Sequence, residues 1–398
     1  MARILFIYKQ FPAPAVGHAG GESLFRLMEA LHRRGHRLSL VARMLDEERR
    51  LLPAVEAICE RVITVPHHRS LPGPRPLALA RSYSALRRAA RQALRAIRPD
   101  LVHIETTQTA IVLLGLRLPP SSFRTQDVNW FMWQQKVAHA HGFKRLGAKM
   151  MAACFRLFEP ALCRRHDLIL AISEGDRALL SPVCGRHPLL LLPLTPAVSC
   201  HPEALPAIPP GSPTLLFVGA MDRAHNIAGV TWFLDQVWPR IRAAIPEARF
   251  CVVGGSPAAE IKARADGEHC IVTGFVDDLA PWYKAATVFV SPLLVAGGLL
   301  QKVVDAMTFG APVAATSVCN HGIGATPGEH LVTADTPEAF AAAVVALLRD
   351  PAARARIGAA GQRFIQEHYN IEASIAQWEA ALLDMLQSDR PTSGKDMV

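Results

Sequence analysis

A chain of 398 residues is long enough for two or three domains, each with its own core. Half of the residues are hydrophobic and 19% are charged, a balance that excludes a disordered, collagen-like or coiled-coil protein. The net charge of +9 combines two opposite halves: residues 1–195 contain 29 Lys and Arg against 14 Asp and Glu, whereas acidic residues are in excess in the remainder. We therefore expect two domains that face different partners.

The first predicted elements are a strand and a helix joined by a loop. A short apolar run, Arg3–Tyr8, predicts a buried strand and not a signal peptide. A loop rich in proline and glycine follows, and then Gly20 and Gly21 open a helix that ends before Gly35. No later segment reaches about 18 uncharged apolar residues, so no membrane-spanning helix is expected.

Short apolar runs alternate with helical patterns through the rest of the first half. This alternation predicts a parallel sheet with helices on both faces. A segment rich in proline, residues 193–213, is the clearest linker of the chain. The predicted strands of this half, after the first, are Arg37–Ala42, Val62–Val65, Leu101–Ile104, Ser122–Thr125 and Leu168–Ile172.

The same alternation restarts after the linker. Asn226 is predicted to cap a helix over Ile227–Ala244. The sequence thus predicts an α/β protein of two doubly wound domains that face a central cleft. The predicted boundaries are 1–192 and 214–370 for the domains, 193–213 for the linker, 371–388 for a last helix and 389–398 for a polar tail. The further predicted elements are the strands Thr214–Val218, Arg249–Val253, Cys270–Thr273, Val288–Ser291 and Val313–Thr316, and the helices Asp277–Ala285, Leu299–Phe309, Pro337–Arg349 and Ala352–Glu367.

A glycine-rich loop is the most informative pattern of the second half. A strand ends at Ser291, the loop ends in Gly297 and Gly298, and a helix is predicted to begin there. The backbone N–H groups and the dipole at such a helix start suit a diphosphate. Lys302 and Asp305 share one helix face, where Lys302 can neutralise a phosphate and Asp305 can accept hydrogen bonds from ribose hydroxyls. A plain glycine turn with a weak surface ion pair remains the alternative.

This block resembles the donor-binding motif of the family 4 glycosyltransferases, which have the GT-B fold. In that family an acidic residue, matched here by Asp305, holds the nucleotide ribose. The resemblance extends over most of the chain, and the ordered set of segments is more specific than any single motif. The other matching segments are Gly20-Gly21, Ser173-Glu174, Phe217–Val230, Val252–Gly255, Thr273–Asp278 and Gly310–Val313.

The resemblance implies a retaining transfer of a hexose-type sugar from a nucleotide-diphosphate sugar to a glycan or lipid-linked acceptor, in polysaccharide or glycoconjugate biosynthesis. The UDP- or GDP-linked donor is a substrate, so no cofactor is expected, and such enzymes need no divalent metal. The donor is expected on the second domain and the acceptor on the first. The last helix is expected to cross back to the first domain.

The resemblance also assigns candidate site residues. Backbone N–H groups of Gly297, Gly298 and Leu299 and the side chain of Lys302 are expected to neutralise the leaving group. The candidate catalytic residues are thus Lys302 and Asp127, the latter to orient the acceptor or the sugar.

Three of the candidates have plainer alternatives. Asp127 is otherwise an exposed helix cap, and Arg223, a further candidate for the leaving group, is otherwise a solvated loop charge. Gly21 is a candidate for close approach of the backbone to phosphate or sugar, or is only a sterically permissive helix start.

Three positions around the glycine-rich loop depart from the common family pattern. Gly297 replaces the first of two glutamates that lie eight positions apart, as in a glycine-rich subgroup that includes enzymes of exopolysaccharide clusters. Leu294 and Leu300 stand where that subgroup usually carries basic residues.

A fourth departure concerns the histidine that the family often has in its first domain. Gln126 occupies that position, so a catalytic histidine is either absent or supplied by His18 or His103. The departures leave two other functions open: a non-catalytic scaffold that keeps the fold, and an epimerase that acts on a nucleotide-sugar without an acceptor.

Two basic amphipathic segments, Arg81–Arg98 and Phe143–Phe158, account for much of the excess charge of the first half. Such helices suit the anionic inner face of a cytoplasmic membrane, and the alternative is a buried helix face with a solvated rim. No nucleic acid is expected, because no binding motif or interleaved aromatic residues accompany the charges. Eight scattered cysteines without metal spacing indicate reduced thiols in a cytoplasm. The apolar stripe of the second segment consists of Leu146, Met150, Cys154 and Phe158.

Overall fold

The structure is a computed structural model, and it describes residues 1–14, 16, 18–193 and 212–388. Nearly all of the predicted linker, 193–213, and the whole predicted tail, 389–398, lie outside these residues. The chain divides into two compact units. One consists of Met1–Thr195 together with Ile371–Val398, and the other of Pro196–Asn370.

The first unit is built on a sheet of seven strands. They are β1 (Arg3–Tyr8), β2 (Arg37–Met44), β3 (Arg61–Pro66), β4 (Leu101–Glu105), β5 (Ser121–Arg124), β6 (Leu168–Ala171) and β7 (Leu189–Leu191). The order is β3-β2-β1-β4-β5-β6-β7, and all neighbours are parallel. The predicted strands are all present, because runs of apolar residues suit strands that helices cover on both faces.

The described part of this unit has seven helices before the second unit begins. They are α1 (Ala19–Arg33), α2 (Leu52–Glu56), α3 (Arg75–Ile97), α4 (Thr107–Val112), α5 (Asn129–His139), α6 (Gly142–Cys163) and α7 (Glu174–Cys184), with short 3-10 turns at Asp46–Leu51 and His68–Ser70. Helix α1 begins at the predicted glycine pair, after a cap at His18. Helix α3 ends at Arg98, which has a left-handed backbone conformation with φ of 49°.

The second unit repeats the plan with six parallel strands. They are β8 (Thr214–Val218), β9 (Arg249–Val253), β10 (Cys270–Gly274), β11 (Val288–Ser291), β12 (Val313–Ala315) and β13 (Val332–Thr333), in the order β10-β9-β8-β11-β12-β13. The helices are α8 (Ala224–Trp232), α9 (Trp238–Ala244), α10 (Ala259–Lys262), α11 (Ala280–Ala285), α12 (Gln301–Thr308), α13 (Ser317–His321), α14 (Pro337–Arg349) and α15 (Pro351–His368).

The helical stretch after β8 differs from the prediction. Arg223, and not Asn226, occupies the N-cap position of α8, so the predicted cap is wrong. Asn226 is buried in the first turn, because its side chain has partners inside the unit, among them the carbonyl oxygen of Ala220 at 2.8 Å. The stretch then widens into a π-turn, Phe233–Val237, just before Pro239, whose nitrogen has no hydrogen to donate to the preceding turn.

The last helix, α16 (Ile371–Ser388), packs on the sheet of the first unit. Ile375, Trp378 and Leu382 recur at helical spacing and join the core that α1 forms on one face of this sheet. His36 bonds to Glu379 at 2.8 Å and fixes the helix further. Helices α3, α4, α6 and α7 cover the opposite face. No helix in the described ranges is long and apolar enough to cross a bilayer.

Candidate functional site

Each sheet has a point beside its first strand where the chain changes winding direction. In the first unit this point lies between β1 and β4, and in the second between β8 and β11. The loops that leave two such strands diverge, so they leave a crevice at the carboxyl ends of the strands, where ligands of open α/β sheets bind. Apart from His103, which lies within β4, the predicted site residues lie at the carboxyl-terminal edge of one sheet or the other.

In the second unit, Lys302 reaches from α12 to the loop that follows β8. Its Nζ donates a hydrogen bond to Asn226 Oδ1 at 2.8 Å. The same atom lies 4.2 Å from the centroid of the Phe217 ring, a cation–π contact. The lysine predicted to bind phosphate is therefore held by an aromatic ring and a neutral amide.

Burial changes the chemistry of Lys302. The loss of solvent lowers the pKa of its amine from 10.5 to about 7. The amine has room because position 219 is a glycine: a Cβ there would lie 2.6 Å from Nζ and 2.8 Å from Nδ2 of Asn226. Lys302 is thus near its titration midpoint at neutral pH, and an anion beside Nζ would favour the charged form.

The glycine-rich loop after β11 is shaped by close backbone contacts. Gly298 has φ of 60°, in the left-handed region that favours glycine. A Cβ on residue 322, also a glycine, would lie 1.8 Å from the carbonyl oxygen of Gly298. Because a left-handed residue cannot join a right-handed helix, α12 begins only after a cap at Leu300, and not at the glycines as predicted. The amides of Gly297–Leu299 belong to the loop.

Asp305 follows Lys302 by three residues on α12. Its residue is 3% exposed, and its Oδ1 accepts a hydrogen bond from Gln301 Nε2 at 2.9 Å. Arg223, in contrast, is about half exposed and lies 3.6 Å from the carboxylate of Asp222. The structure therefore buries Asp305, half-buries Lys302 and leaves Arg223 as a solvated loop charge.

The glycine pair of the first unit contacts side chains of the protein itself. His18 caps α1, and its Nδ1 accepts a hydrogen bond from the Gly21 N–H at 2.9 Å. A Cβ on Gly21 would lie 2.3 Å from the His18 ring, and one on Gly20 would lie 2.6 Å from Nε2 of Gln126 and 2.9 Å from the hydroxyl of Tyr8. A side chain at either position would require these neighbouring side chains to move.

A buried polar cluster lies beside these glycines, at the ends of β4 and β5. The carboxylate of Glu105 accepts hydrogen bonds from Arg124 Nε at 2.9 and 3.0 Å and from Gln126 Nε2 at 2.9 Å. Burial alone would raise the pKa of Glu105, but the charge of Arg124 and the bond to His103 outweigh it and hold that pKa below its ordinary value. Within the described ranges, the two terminal nitrogens of Arg124 have no hydrogen-bond partner.

His103 is a residue of the core. It is completely buried, with the rings of Phe6 and Trp378 at centroid distances of 5.2 and 5.1 Å. One ring nitrogen bonds to Glu105 and the other to Ser122, both at 2.9 Å, and burial lowers its pKa. This position excludes contact with a substrate, so His103 is removed as a candidate catalytic histidine.

Asp127 precedes α5 without capping it, so the exposed-cap alternative is wrong. Val128 occupies the N-cap, and the carboxylate of Glu159 accepts hydrogen bonds from the backbone N–H groups of Asn129 at 2.9 Å and Trp130 at 3.1 Å. Asp127 itself is half-buried, and burial raises its pKa to about 6. A carboxyl group near this pKa can accept or donate a proton close to neutral pH.

Both halves of the chain match models of glycosyltransferases. Residues 20–191 match the model described as Glycosyltransferase Family 4, and residues 212–350 match the one described as Glycosyl transferases group 1. The chain belongs to the family 4 glycosyltransferases. The phosphatidyl-myo-inositol mannosyltransferase of Mycobacterium leprae is 30% identical over 161 residues, which are 39% of this chain. The match spans 42% of that relative's length.

Two solved structures match nearly the whole chain in fold. Sucrose-phosphate synthase from Thermosynechococcus elongatus has a TM-score of 0.73 and 20% identity, over 97% of this chain and 100% of its own. HepE from Anabaena, in complex with UDP and glucose, has a TM-score of 0.65 and 15% identity, over 96% of this chain and 100% of its own. The predicted GT-B fold is confirmed.

Sequence reasoning missed several residues of these two sheet edges. Phe217, Gly219 and Asn226 lie in a segment that matched the family, but the asparagine was interpreted only as a helix cap. Glu105 and Arg124 gave a signal that was overlooked, because charged residues in short central strands need partners inside the protein. Among the described residues, no three His, Cys, Asp or Glu side chains are grouped to hold a metal ion.

Proposed function

We propose that this family 4 glycosyltransferase transfers a hexose-type sugar, with retention, from a UDP- or GDP-linked donor to a glycan or lipid-linked acceptor. The observation that carries the proposal is Lys302, half-buried at the switch point of the second unit and bonded there to Asn226. The complex of HepE with UDP and glucose supports a nucleotide-sugar donor. The name of the Mycobacterium leprae relative supports a lipid acceptor and a hexose.

In the proposed complex, the donor diphosphate lies between Lys302 and the amides of Gly297–Leu299. A phosphate beside Nζ would raise the pKa of the lysine, so that its amine would be fully protonated. Asp305, three residues further along α12, would accept hydrogen bonds from the ribose hydroxyls in exchange for its bond from Gln301. Arg223 is exposed on the β8 loop and is proposed only as a secondary contact.

The proposed reaction breaks the bond between the anomeric carbon and the β-phosphate oxygen and forms the acceptor bond on the same face of the sugar. The departing phosphate takes the proton of the acceptor hydroxyl, so no protein nucleophile is required. Charged Lys302 and the loop amides stabilise the negative charge of the leaving group, in place of a divalent metal. Asp127 is proposed to orient the acceptor or the sugar. The backbone of Gly21 is proposed to lie close to the phosphate or the sugar.

We also propose that the first unit contacts the inner face of the cytoplasmic membrane through α6. The stripe predicted on α6 faces solvent, so the alternative of a buried helix face is wrong for this helix. That alternative is correct for the other basic segment, in α3, where Leu86, Ala90 and Ala93 belong to the core. Basic residues flank the stripe, and such a surface suits an anionic bilayer. The large apolar side chains of this helix with the highest exposure are Phe143 at 94%, Leu157 at 77%, Met150 at 66%, Leu146 at 56% and Phe158 at 54%.

Thermal unfolding with UDP, GDP, ADP, dTDP and their sugars tests the donor assignment. A nucleotide at about a hundred times its Kd stabilises the folded chain by about 2.7 kcal/mol. Asp305→Asn should lose most of the shift, because the new amide nitrogen cannot accept a hydrogen bond from ribose. Glu268→Ala, which changes a 75% exposed side chain of the same unit, should keep it. Equal shifts in the wild type and Asp305→Asn would contradict the ribose assignment.

Incubation of the selected donor with and without an acceptor separates the remaining functions. Transfer of the sugar supports the proposal, and analysis of the product's anomeric configuration tests retention. An interconverted nucleotide-sugar in the absence of acceptor would indicate an epimerase. Nucleotide binding without either product, or no binding at all, would indicate a scaffold.

A further inference from the structure

An open pocket lies at the amino-terminal edge of the first sheet, away from the loops described above. It has a volume of about 450 Å³ and lies between the C-terminal half of α3 and the loop that joins α4 to β5. This size falls within the range of about 300–1,000 Å³ that is usual for small-molecule sites. The charged residues that line it are Arg91, Arg95, Arg98 and Arg117.

These four arginines have no acidic partner in the part of the chain that the structure describes. The nearest carboxylate in sequence, Asp100, is bound to Arg3 at 2.9 Å, and that guanidinium lowers the pKa of Asp100. All four are exposed residues, and four positive charges around one open pocket create a positive potential there. Such a charge distribution favours an anion that can contact several of the groups.

The wall of the pocket is fixed by two other arginines. The Arg87 guanidinium donates to the carbonyl oxygens of Val112 and, at 2.7 Å, of Leu114. Arg165 donates to the carbonyl oxygen of Leu116 at 2.6 Å. These bonds attach the backbone just before Arg117 to the side chains of Arg87 and Arg165.

We propose that this pocket binds a polyanion that carries phosphate groups. A planar guanidinium matches the geometry of phosphate oxygens with two parallel hydrogen bonds. A single carboxylate would neutralise only one of the four charges, whereas a phosphate monoester or an oligophosphate supplies more charge in the same volume. The phosphate can belong to a soluble molecule or to a lipid headgroup at a membrane surface.

The favourable interaction of basic residues with the C-terminus of a helix does not account for this arrangement. It explains Arg95 and Arg98, which lie at the end of α3. It does not explain Arg117, which comes from a different segment and lines the same cavity.

A pair of double variants tests the proposal. Arg95→Gln with Arg117→Gln removes two charges from the pocket, and Arg81→Gln with Arg88→Gln removes two exposed charges of α3 outside it. Calorimetric titration with tripolyphosphate should show saturable binding to the wild type. We expect at least a tenfold loss of affinity in the pocket variant and less than a twofold loss in the control variant. Nucleotide affinity should stay unchanged in both, because the proposed donor site is in the other unit.

Sedimentation with phosphatidylcholine vesicles that contain phosphatidic acid separates the two sources of phosphate. A loss in the pocket variant of both vesicle and tripolyphosphate binding supports a headgroup, and a loss of tripolyphosphate binding alone supports a soluble ligand. The absence of saturable binding to the wild type would overturn the proposal. Equal losses of affinity in the pocket and control variants would also overturn it, because they would attribute the binding to the overall charge of the unit.

Discussion

The two units have the same parallel-sheet topology around their switch points. They differ in the partners of the charged side chains at the carboxyl-terminal edge of each sheet. At the carboxyl ends of β4 and β5 in the first unit, Glu105 and Arg124 form a completely buried ion pair, supplemented by Gln126. At the corresponding edge of the second unit, the amine of Lys302 has an amide and an aromatic ring as neighbours. In the first unit the charges of Glu105 and Arg124 neutralise each other. In the second unit no carboxylate of the described residues bonds to the amine of Lys302.

The difference shows that the topology sets where loops diverge, and the side chains decide what the resulting crevice can do. In the first unit the residues of neighbouring strands meet across the sheet, since Glu105 is paired with Arg124 in the β4–β5 register. In the second unit the glycine at 219 leaves room for Lys302, because a Cβ there would lie 2.6 Å from its Nζ. We therefore expect mutations in the first cluster to change stability and mutations in the second to change anion binding.

Glu105→Gln should break the buried polar cluster of the first unit and have the largest effect on the free energy of unfolding. The substitution leaves the Arg124 charge buried without a carboxylate, which costs about 3–5 kcal/mol of the free energy of unfolding. Urea unfolding at neutral pH measures the loss. Glu60→Gln is the matched control, because it breaks an exposed Glu–Arg pair with Arg37 and should cost less than about 1 kcal/mol. Equal costs for the two variants would show that the buried cluster does not stabilise the unit.

Asp176 sharpens the comparison, because it is a buried carboxyl of the first unit without a bonded cation. Its Oδ2 has no hydrogen-bond partner within the described ranges, and burial raises its pKa to about 7. The folded pKa lies above the unfolded value of about 3.9, so ionisation destabilises the fold. This cost is absent below about pH 4, grows between about pH 4 and pH 7, and is constant above that.

Asp176→Asn should therefore stabilise the chain, by up to about 4 kcal/mol at pH 8 and about 1.5 kcal/mol at pH 5. Urea unfolding at the two pH values measures both gains. Glu174→Gln, in the same first turn of α7, changes an exposed side chain and should alter stability by less than about 1 kcal/mol at either pH. A gain for Asp176→Asn that does not depend on pH would contradict the assigned ionisation.

Most of the fold was predictable because it depends on hydrophobic periodicity. Strands β1 and β8 are nearly continuous apolar runs, and a run of this length between helical patterns favours a buried strand. The edge strands β7 and β13 were missed, because three and two residues carry too little pattern. The late start of α12 was also missed, since Gly298 fits both a helix start and the left-handed turn that it forms.

The candidate site was predictable as a list of residues but not as a set of contacts. Lys302 and Asp305 followed from spacing along one helix, which depends on local geometry. The contact between Lys302 and Asn226 joins residues 76 positions apart and needs the fold of the whole unit. The lowered pKa of Lys302 likewise follows from burial by distant segments, which no local pattern reports.

The amine of Lys302 in the second unit should take up a proton when a nucleotide binds. The amine of Lys302 has a pKa of about 7, and a bound diphosphate would raise it, so at pH 8 the mainly neutral lysine should take up close to one proton. Above about pH 7 the affinity should fall by up to tenfold per pH unit, because the phosphate itself is already ionised with a second pKa of about 6.

Calorimetry of nucleotide binding in buffers with different ionisation enthalpies measures this proton uptake at pH 8. In Lys302→Met the uptake and the pH dependence should both disappear, and the affinity at pH 7 should fall by about ten- to a hundredfold, the value of one hydrogen bond to a charged group. Lys262→Met, which removes an exposed lysine of the same unit, should behave as the wild type. Proton uptake that persists in Lys302→Met would assign the titration to another group. The contrast between the two switch points would then no longer rest on this lysine.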